Sequence, residues 1–202
     1  MNKDISPFAI DIDKLPSVDA NEFDNSRTAV VVVDVINGFL NFGALADNSI
    51  NIIVDRINAL LTLLPQSDRV SVRDSHTLDS RELTIFPIHC TGGRESQLVD
   101  NLSHCFNVDI EKNSTNAFYK FKPLYETREY KNIIIAGDCS DLCIMHFAIS
   151  LVTYINEYNH NSNVYLVANA IDTFDTPTHP KQQLNEISLY LMREAGVNLL
   201  KI

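Results

Sequence analysis

Runs of consecutive apolar residues predict the strands of a buried sheet. Residues 28–33 are a β-branched run, and residues 133–136 and 163–168 are similar runs further along the chain. Continuous rather than alternating apolar residues are typical of parallel strands that are covered on both faces. Three shorter segments complete the predicted set of about six strands: 69–73, 105–110 and 198–201.

Apolar residues at helical spacing predict helices between these strands. Residues 50–64 form one amphipathic segment, which Pro65 stops, and residues 184–195 form another, which ends at Gly196. A third helix is predicted after the strand at 133–136, with Asp141 as its N-cap and Cys143 near its second position. Strands that alternate with helices indicate a doubly wound, mostly parallel α/β sheet with helices on both faces, a three-layer α/β/α fold.

Length and composition narrow the class of protein further. The chain has 202 residues, 45% of them hydrophobic and 21% charged, which suits a single globular domain over residues 1–202. Residues 1–26 are polar and aperiodic and are predicted to form an N-terminal arm. A net charge of −10 argues against nucleic acid or an anionic membrane as a partner. We find neither a signal peptide nor a membrane span, and four cysteines without a CxxC pair suggest reduced thiols in a cytoplasm.

Three residues at predicted strand ends carry reactive chemistry. Cys143 lies where a strand turns into a helix, and a helix N-terminus favours a thiolate and can hold an oxyanion. Asp34 ends the first strand, where a carboxylate is costly unless it is paired or used. Lys112 follows the strand at 105–110 and would favour the thiolate if it pointed the same way. The alternatives are an inert buried cysteine, a turn-forming aspartate and a surface lysine.

A second cluster has the composition of a metal site. Asp74, His76, Glu82 and His89 lie within sixteen positions of one another. Two imidazoles with two carboxylates suit Zn²⁺, Mn²⁺ or Fe²⁺, and a loop can fold them round one ion. Solvated loop residues are the alternative.

Five short motifs, taken in order, resemble the isochorismatase-like cysteine hydrolases, and among them the nicotinamidases. The motifs are DVINGF, RDSH, ELTIFPIH, KNSTNAF and GDCSDLC. The chain departs from the family pattern at several positions. Asn116 replaces a serine, Ile36 and Gly38 replace a common Gln and Asp, and Asp138 and Cys139 replace a small apolar pair.

The resemblance assigns a role to each site residue. It makes Cys143 the nucleophile, Asp34 the base and Lys112 the charge that orients them. It implies a cis peptide bond between Asp138 and Cys139, with the Cys139 and Cys143 N–H groups holding the oxyanion. It also implies substrate contacts by Phe39, Asn116 and Phe118, and a divalent metal that is held by Asp74, His76, Glu82 and His89 and binds a pyridine nitrogen.

The implied activity is hydrolysis of nicotinamide to nicotinate and ammonia through a thioester, without an organic cofactor. Another hydrolase of the superfamily, acting on a carbamoyl, ureido or isochorismate-like substrate, is the nearest alternative. A thiol-redox protein that uses Cys139 and Cys143, and a non-catalytic binding protein, are further alternatives. Related enzymes are usually oligomers, so we expect a homo-oligomer that uses the arm or the helix face at 147–154.

Overall fold

Six parallel strands form one sheet in the computed structural model, which describes residues 7–202. The strands are β1 (Thr28–Val33), β2 (Asp68–Asp74), β3 (Val108–Lys112), β4 (Asn132–Asp138), β5 (Asn163–Asp172) and β6 (Asn198–Leu200). The helices are α1 (Asn37–Leu40), α2 (Ile52–Leu63), α3 (Phe118–Arg128), α4 (Met145–Glu157) and α5 (Lys181–Glu194). The predicted doubly wound α/β class is confirmed.

The sheet has an apolar core on each face. Alternate β1 residues point to opposite sides, so that Val31 and Val33 belong to one core and Val30 and Val32 to the other. Helices α3, α4 and α5 cover the first core, whereas α1 and α2 cover the second. Because both faces are covered, β1 is buried along its whole length, as its unbroken apolar run predicts.

The order of the strands places a crevice between β1 and β4. The full order is β3-β2-β1-β4-β5-β6, so the chain moves outward in one direction from β1 and in the other from β4. Ligand sites in such sheets form at this switch point, beyond the carboxyl ends of the strands. Gly137 allows the two strands to approach closely there, because a Cβ at this position would lie 2.1 Å from the Val33 carbonyl oxygen.

The structure differs from the sequence-based prediction at one strand, one helix and one helix cap. Strand β3 starts and ends later than the predicted 105–110, so that Lys112 lies inside the strand. Helix α3 had no periodic signal, because it buries only Phe121 and Tyr125 and contains Pro123. Asp141 does not cap the helix after β4; its carboxylate instead accepts hydrogen bonds from loop residues after β5.

The described part of the N-terminal arm packs on its own chain. The Val18 N–H donates to the Lys201 carbonyl oxygen, and the Lys201 N–H donates to that of Pro16. Val18 and Phe23 are buried in the second core, while residues 1–6 of the predicted arm lie outside the described residues. The helix face at 147–154 is likewise buried within the chain, at Phe147 and Leu151 among others. The expected homo-oligomer therefore stays a prediction, and neither of these two surfaces supports it.

Within residues 7–202, no helix combines the length and the apolar character that a membrane crossing requires.

Candidate active site

Asp34 is held by its neighbours from β2 and β3. It follows β1 directly, is fully buried and has a φ of 58°, a left-handed conformation that is uncommon for a residue with a side chain. Its Oδ1 accepts a hydrogen bond from the Asp74 N–H at 2.8 Å, and its Oδ2 lies 2.8 Å from Lys112 Nζ. This backbone turn thus directs a carboxylate across the carboxyl ends of the neighbouring strands.

Lys112 is a buried cation that two carboxylates share. Its Nζ lies 2.8 Å from Asp34 Oδ2 and 2.5 Å from Asp74 Oδ1. Burial alone would lower the pKa of Lys112, but the charges of Asp34 and Asp74 outweigh it and hold that pKa well above the ordinary value. Lys112 is therefore an ammonium around neutral pH.

Cys143 lies in a single π-helical turn, residues 140–144, that joins β4 to α4. A hydrogen bond with the Cys139 side chain raises the pKa of the Cys143 thiol well above its usual value, burial raises it further, and Lys112 opposes both. These neighbours favour the thiol form of Cys143 in the resting protein, so the thiolate expected from the helix N-terminus stays a prediction.

The Cys143 side chain is a polar neighbour of the Asp34 carboxyl group. Burial raises the pKa of Asp34 to about 6, against the lowering effect of the nearby Lys112 ammonium. Around neutral pH, Asp34 is thus a carboxylate in contact with a protonated thiol, an arrangement that allows proton transfer from sulfur to oxygen.

Asp74, His76 and His89 form a buried cluster whose ligand atoms all lie within 4.8 Å of one another. The Nδ1 of His89 is 2.7 Å from the Pro87 carbonyl oxygen, so this nitrogen carries the hydrogen and Nε2 keeps a free lone pair. His76 Nε2 is buried without a hydrogen-bond partner and lies 3.4 Å from Asp74 Oδ2. An orphaned imidazole nitrogen, a second lone pair and a carboxylate oxygen fit a divalent ion of the zinc type.

Glu82 lies beside this cluster but outside the three-residue set. Its Oε1 accepts hydrogen bonds from the Thr115 N–H and hydroxyl at 2.6 and 2.9 Å, and its Oε2 is 4.0 Å from His76 Nε2. One oxygen is thus engaged elsewhere while the other faces the imidazole. The role of Glu82 as a fourth metal ligand therefore stays a prediction.

A cavity of about 430 Å³ opens onto these groups. Asp74, His89 and Cys143 contribute to its polar wall, and the aromatic part of the wall consists of Phe39, Phe86 and Phe174. Of these aromatic residues only Phe39 was named as a substrate contact from the sequence. Phe86 lies in the ELTIFPIH motif, and Phe174 follows the carboxyl end of β5. The sequence therefore offered a signal for each of them, membership of a motif for Phe86 and a position after a strand for Phe174.

Asn116 and Phe118, by contrast, do not line the cavity. Asn116 accepts a hydrogen bond from the Phe118 N–H at 3.0 Å and donates one to the Ser150 hydroxyl at 2.9 Å. The Phe118 ring packs against Tyr154, with ring centroids 5.4 Å apart. Their position at the start of α3 gives no support to a substrate contact, which stays a prediction for both residues.

The peptide bond between Asp138 and Cys139 is trans, which corrects the expected cis bond. Cys139 instead has a φ of 63°, and its N–H donates to Asp138 Oδ1 at 2.5 Å. This N–H is therefore engaged by a side chain and does not serve as the expected free oxyanion donor. The Cys139 and Cys143 thiols are both free.

The fold and this group of side chains define an α/β protein with a candidate hydrolase site at the carboxyl ends of its strands. A family model described as the isochorismatase domain matches residues 28–195, and the chain belongs to that family. It is 24% identical to nicotinamidase 1 of Arabidopsis thaliana over 213 residues, covering 87% of this chain and 86% of the relative.

Two solved structures show the same fold. N-carbamoylsarcosine amidase from Thermoplasma acidophilum has a TM-score of 0.70 and 22% identity, and the match covers 87% of this chain and 96% of that one. The pyrazinamidase of Pyrococcus horikoshii in complex with zinc has a TM-score of 0.70 and 20% identity, with coverage of 87% and 99%.

Proposed function

We propose that this protein is an amidase with a cysteine nucleophile, and that its substrate is a small aromatic carboxamide, with nicotinamide favoured. The observation that carries the proposal is the contact between a buried carboxylate, an ammonium and a thiol, from Asp34, Lys112 and Cys143, beside a cavity with aromatic walls. The nicotinamidase relative supports the choice of substrate.

The arrangement supports a two-stage reaction. Asp34 accepts the Cys143 proton, and the thiolate formed attacks the amide carbon while Lys112 balances the negative charge of the cluster. Asp34 then returns the proton to the departing ammonia, and a thioester with Cys143 remains. In the second stage Asp34 accepts a proton from water as the water oxygen attacks the thioester carbon. The C–S bond then breaks, Asp34 returns the proton to the Cys143 sulfur, and the carboxylic acid is released.

Asp74, His76 and His89 would hold a divalent ion, with Glu82 as a further candidate ligand. A bound ion of this kind supplies a Lewis acid that can coordinate a ring nitrogen of the substrate. The zinc complex of the Pyrococcus horikoshii pyrazinamidase supports zinc among the candidates Zn²⁺, Mn²⁺ and Fe²⁺.

The aromatic wall favours a planar substrate. The Phe39 and Phe86 rings both pack against the His89 ring, with centroids 5.8 and 6.2 Å away, so a ring that binds near the cluster would meet aromatic surfaces. A carbamoyl amide is the second candidate substrate, which the fold shared with N-carbamoylsarcosine amidase supports.

The test is ammonia release from a panel of nicotinamide, pyrazinamide and N-carbamoylsarcosine. We expect the highest kcat/KM with an aromatic carboxamide, and no release above background from Cys143→Ala. Cys105→Ala is the matched control, since it removes a free thiol that does not line the cavity and leaves the nucleophile. Wild-type rates from Cys143→Ala would refute the proposal, and a preference for N-carbamoylsarcosine would replace the aromatic substrate with the second candidate.

A further inference from the structure

Asp138 is a buried acid on the cavity wall to which the proposed reaction gives no role. It is the last residue of β4, lines the cavity and is only 3% exposed. The family pattern that the sequence resembles has a small apolar residue at this position, where this chain has a carboxyl group.

Among the described side chains, no cation is left to pair with an Asp138 carboxylate. Lys112 is shared by Asp34 and Asp74, and Lys181 pairs with Asp172 at 2.7 Å. Within the described part of the chain, Asp138 has no ion pair of its own. A buried carboxyl group without a cation is favoured in its neutral form.

The groups around Asp138 reinforce the neutral form. Burial raises the pKa of Asp138 well above the ordinary value, and the Cys139 thiol and the charges of Asp34 and Asp172 raise it further. The Cys139 N–H opposes this effect but does not reverse it. These groups belong to the turn after β4 and to the carboxyl ends of the two neighbouring strands, β1 and β5.

The two carboxyl oxygens of Asp138 have different surroundings. Oδ1 accepts the Cys139 N–H, whereas Oδ2 has no hydrogen-bond partner among residues 7–202. A neutral carboxyl group whose Oδ1 is an acceptor carries its hydrogen on Oδ2. The side chain therefore brings one unused O–H donor to the cavity wall.

We propose that Asp138 is a catalytic residue that donates this hydrogen bond to the carbonyl oxygen of the amide as negative charge develops there. It takes the place of the Cys139 N–H, which Asp138 itself engages. Carboxylic acids that are kept neutral in apolar sites can act as oxyanion donors in this way. The inference rests on the proposed amidase function and adds a group to its site.

Two substitutions at Asp138 separate the effect of the hydrogen-bond donor from the effect of the side chain's shape. Asp138→Ala removes the donor, and we expect kcat to fall about 10²–10³-fold with KM changed only a few-fold, as for other lost oxyanion donors. Asp138→Asn keeps an acceptor for the Cys139 N–H and supplies an amide N–H in place of the O–H. We expect it to retain kcat within about tenfold of wild type, because a neutral donor remains.

The same assay includes Cys143→Ala and the Cys105→Ala control, so that two failures can be told apart. An inactive Cys143→Ala with a fully active Asp138→Ala would overturn the role of Asp138 alone. An active Cys143→Ala, or no ammonia release by the wild type from any amide, would overturn the proposed function and this inference with it. Equal losses in the Asn and Ala variants would also contradict donation by a neutral group.

A spectroscopic readout does not depend on turnover. The infrared difference spectrum of wild type minus Asp138→Asn at pH 7 is expected to contain the carbonyl band of a protonated carboxylic acid. A carboxylate band in its place would overturn the proposal even if Asp138→Ala failed to fold.

Discussion

At the scale of single residues, the site is defined by a shortage of positive charge. One ammonium, that of Lys112, serves the carboxylates of Asp34 and Asp74, and all three are buried. The sequence predicted that Asp34, Lys112 and Cys143 would meet, because each lies at the end of a strand in a parallel sheet. It did not predict that Asp74 would share the lysine, since only the folded register brings β3 beside β2.

Replacing Lys112 by Met leaves the two buried carboxylates of Asp34 and Asp74 without a cation. We expect a loss of about 3–5 kcal/mol in the free energy of unfolding, as is usual when one member of a buried ion pair is removed. Urea unfolding at pH 7 measures this change. Lys122→Met is the matched control, because Lys122 pairs with Glu126 at 3.0 Å on the surface and its loss should leave the unfolding midpoint nearly unchanged. Equal midpoints for the two variants would contradict the buried pair.

Asp138 should reduce stability at neutral pH. Its pKa is raised in the folded state, so between the unfolded value of about 3.9 and the folded value unfolding releases a proton, and stability falls as pH rises. We expect Asp138→Asn to increase the free energy of unfolding at pH 7 and to change it little at the acid end of this window. Denaturant titrations at several pH values provide the measurement. A gain that is the same at every pH would exclude protonation of Asp138 as its cause.

At the scale of elements, the loop from β5 to α5 shapes the cavity. His179 lies 2.9 Å from Asp141 Oδ2 through Nε2 and 3.0 Å from the Phe174 carbonyl oxygen through Nδ1, and its ring stacks on that of Phe174 at 3.6 Å. Phe174 in turn lines the cavity. The sequence showed a polar loop here, but the pairing with Asp141 depends on a contact 38 positions away and had no local signal.

His179→Ala should release Phe174 from the cavity wall. Loss of a hydrogen bond to a charged group is worth about 1.5–3 kcal/mol, so we expect KM to rise by at least about tenfold while kcat changes less. Steady-state kinetics with the preferred amide measures both constants. His104→Ala, at an exposed site, serves as the control. A fall in kcat at constant KM would point instead to a direct role of His179 in the chemistry.

At the scale of the whole molecule, five strand ends meet in one crevice. The strand order could be inferred in outline from apolar runs that alternate with helices, and the predicted class holds for that reason. The exact turn after β4 could not be inferred, because the Cys139 backbone is set by a hydrogen bond from its own N–H to the Asp138 side chain. Helix α3 was missed because packing of two buried residues, rather than a repeating pattern, fixes it.

Loss of the metal cluster should be separable from loss of the nucleophile. We expect elemental analysis to find about one divalent ion per chain, and His89→Ala to lose it while Cys143→Ala keeps it. A chelator should lower the thermal unfolding midpoint of the wild type, since an ion that binds only the folded state stabilises it. Unchanged metal content in His89→Ala would remove this residue from the ligand set.

Gly137 gives the site its dimensions. The proposed base Asp34 follows β1, and the proposed nucleophile Cys143 follows β4. Both lie beyond the point where Val33 and Gly137 are paired in the sheet. Any larger residue would wedge these strands apart, and a hydrogen bond between carboxylate and thiol tolerates only tenths of an ångström. The distance over which the proton moves from sulfur to oxygen is thus determined by a residue that has no side chain.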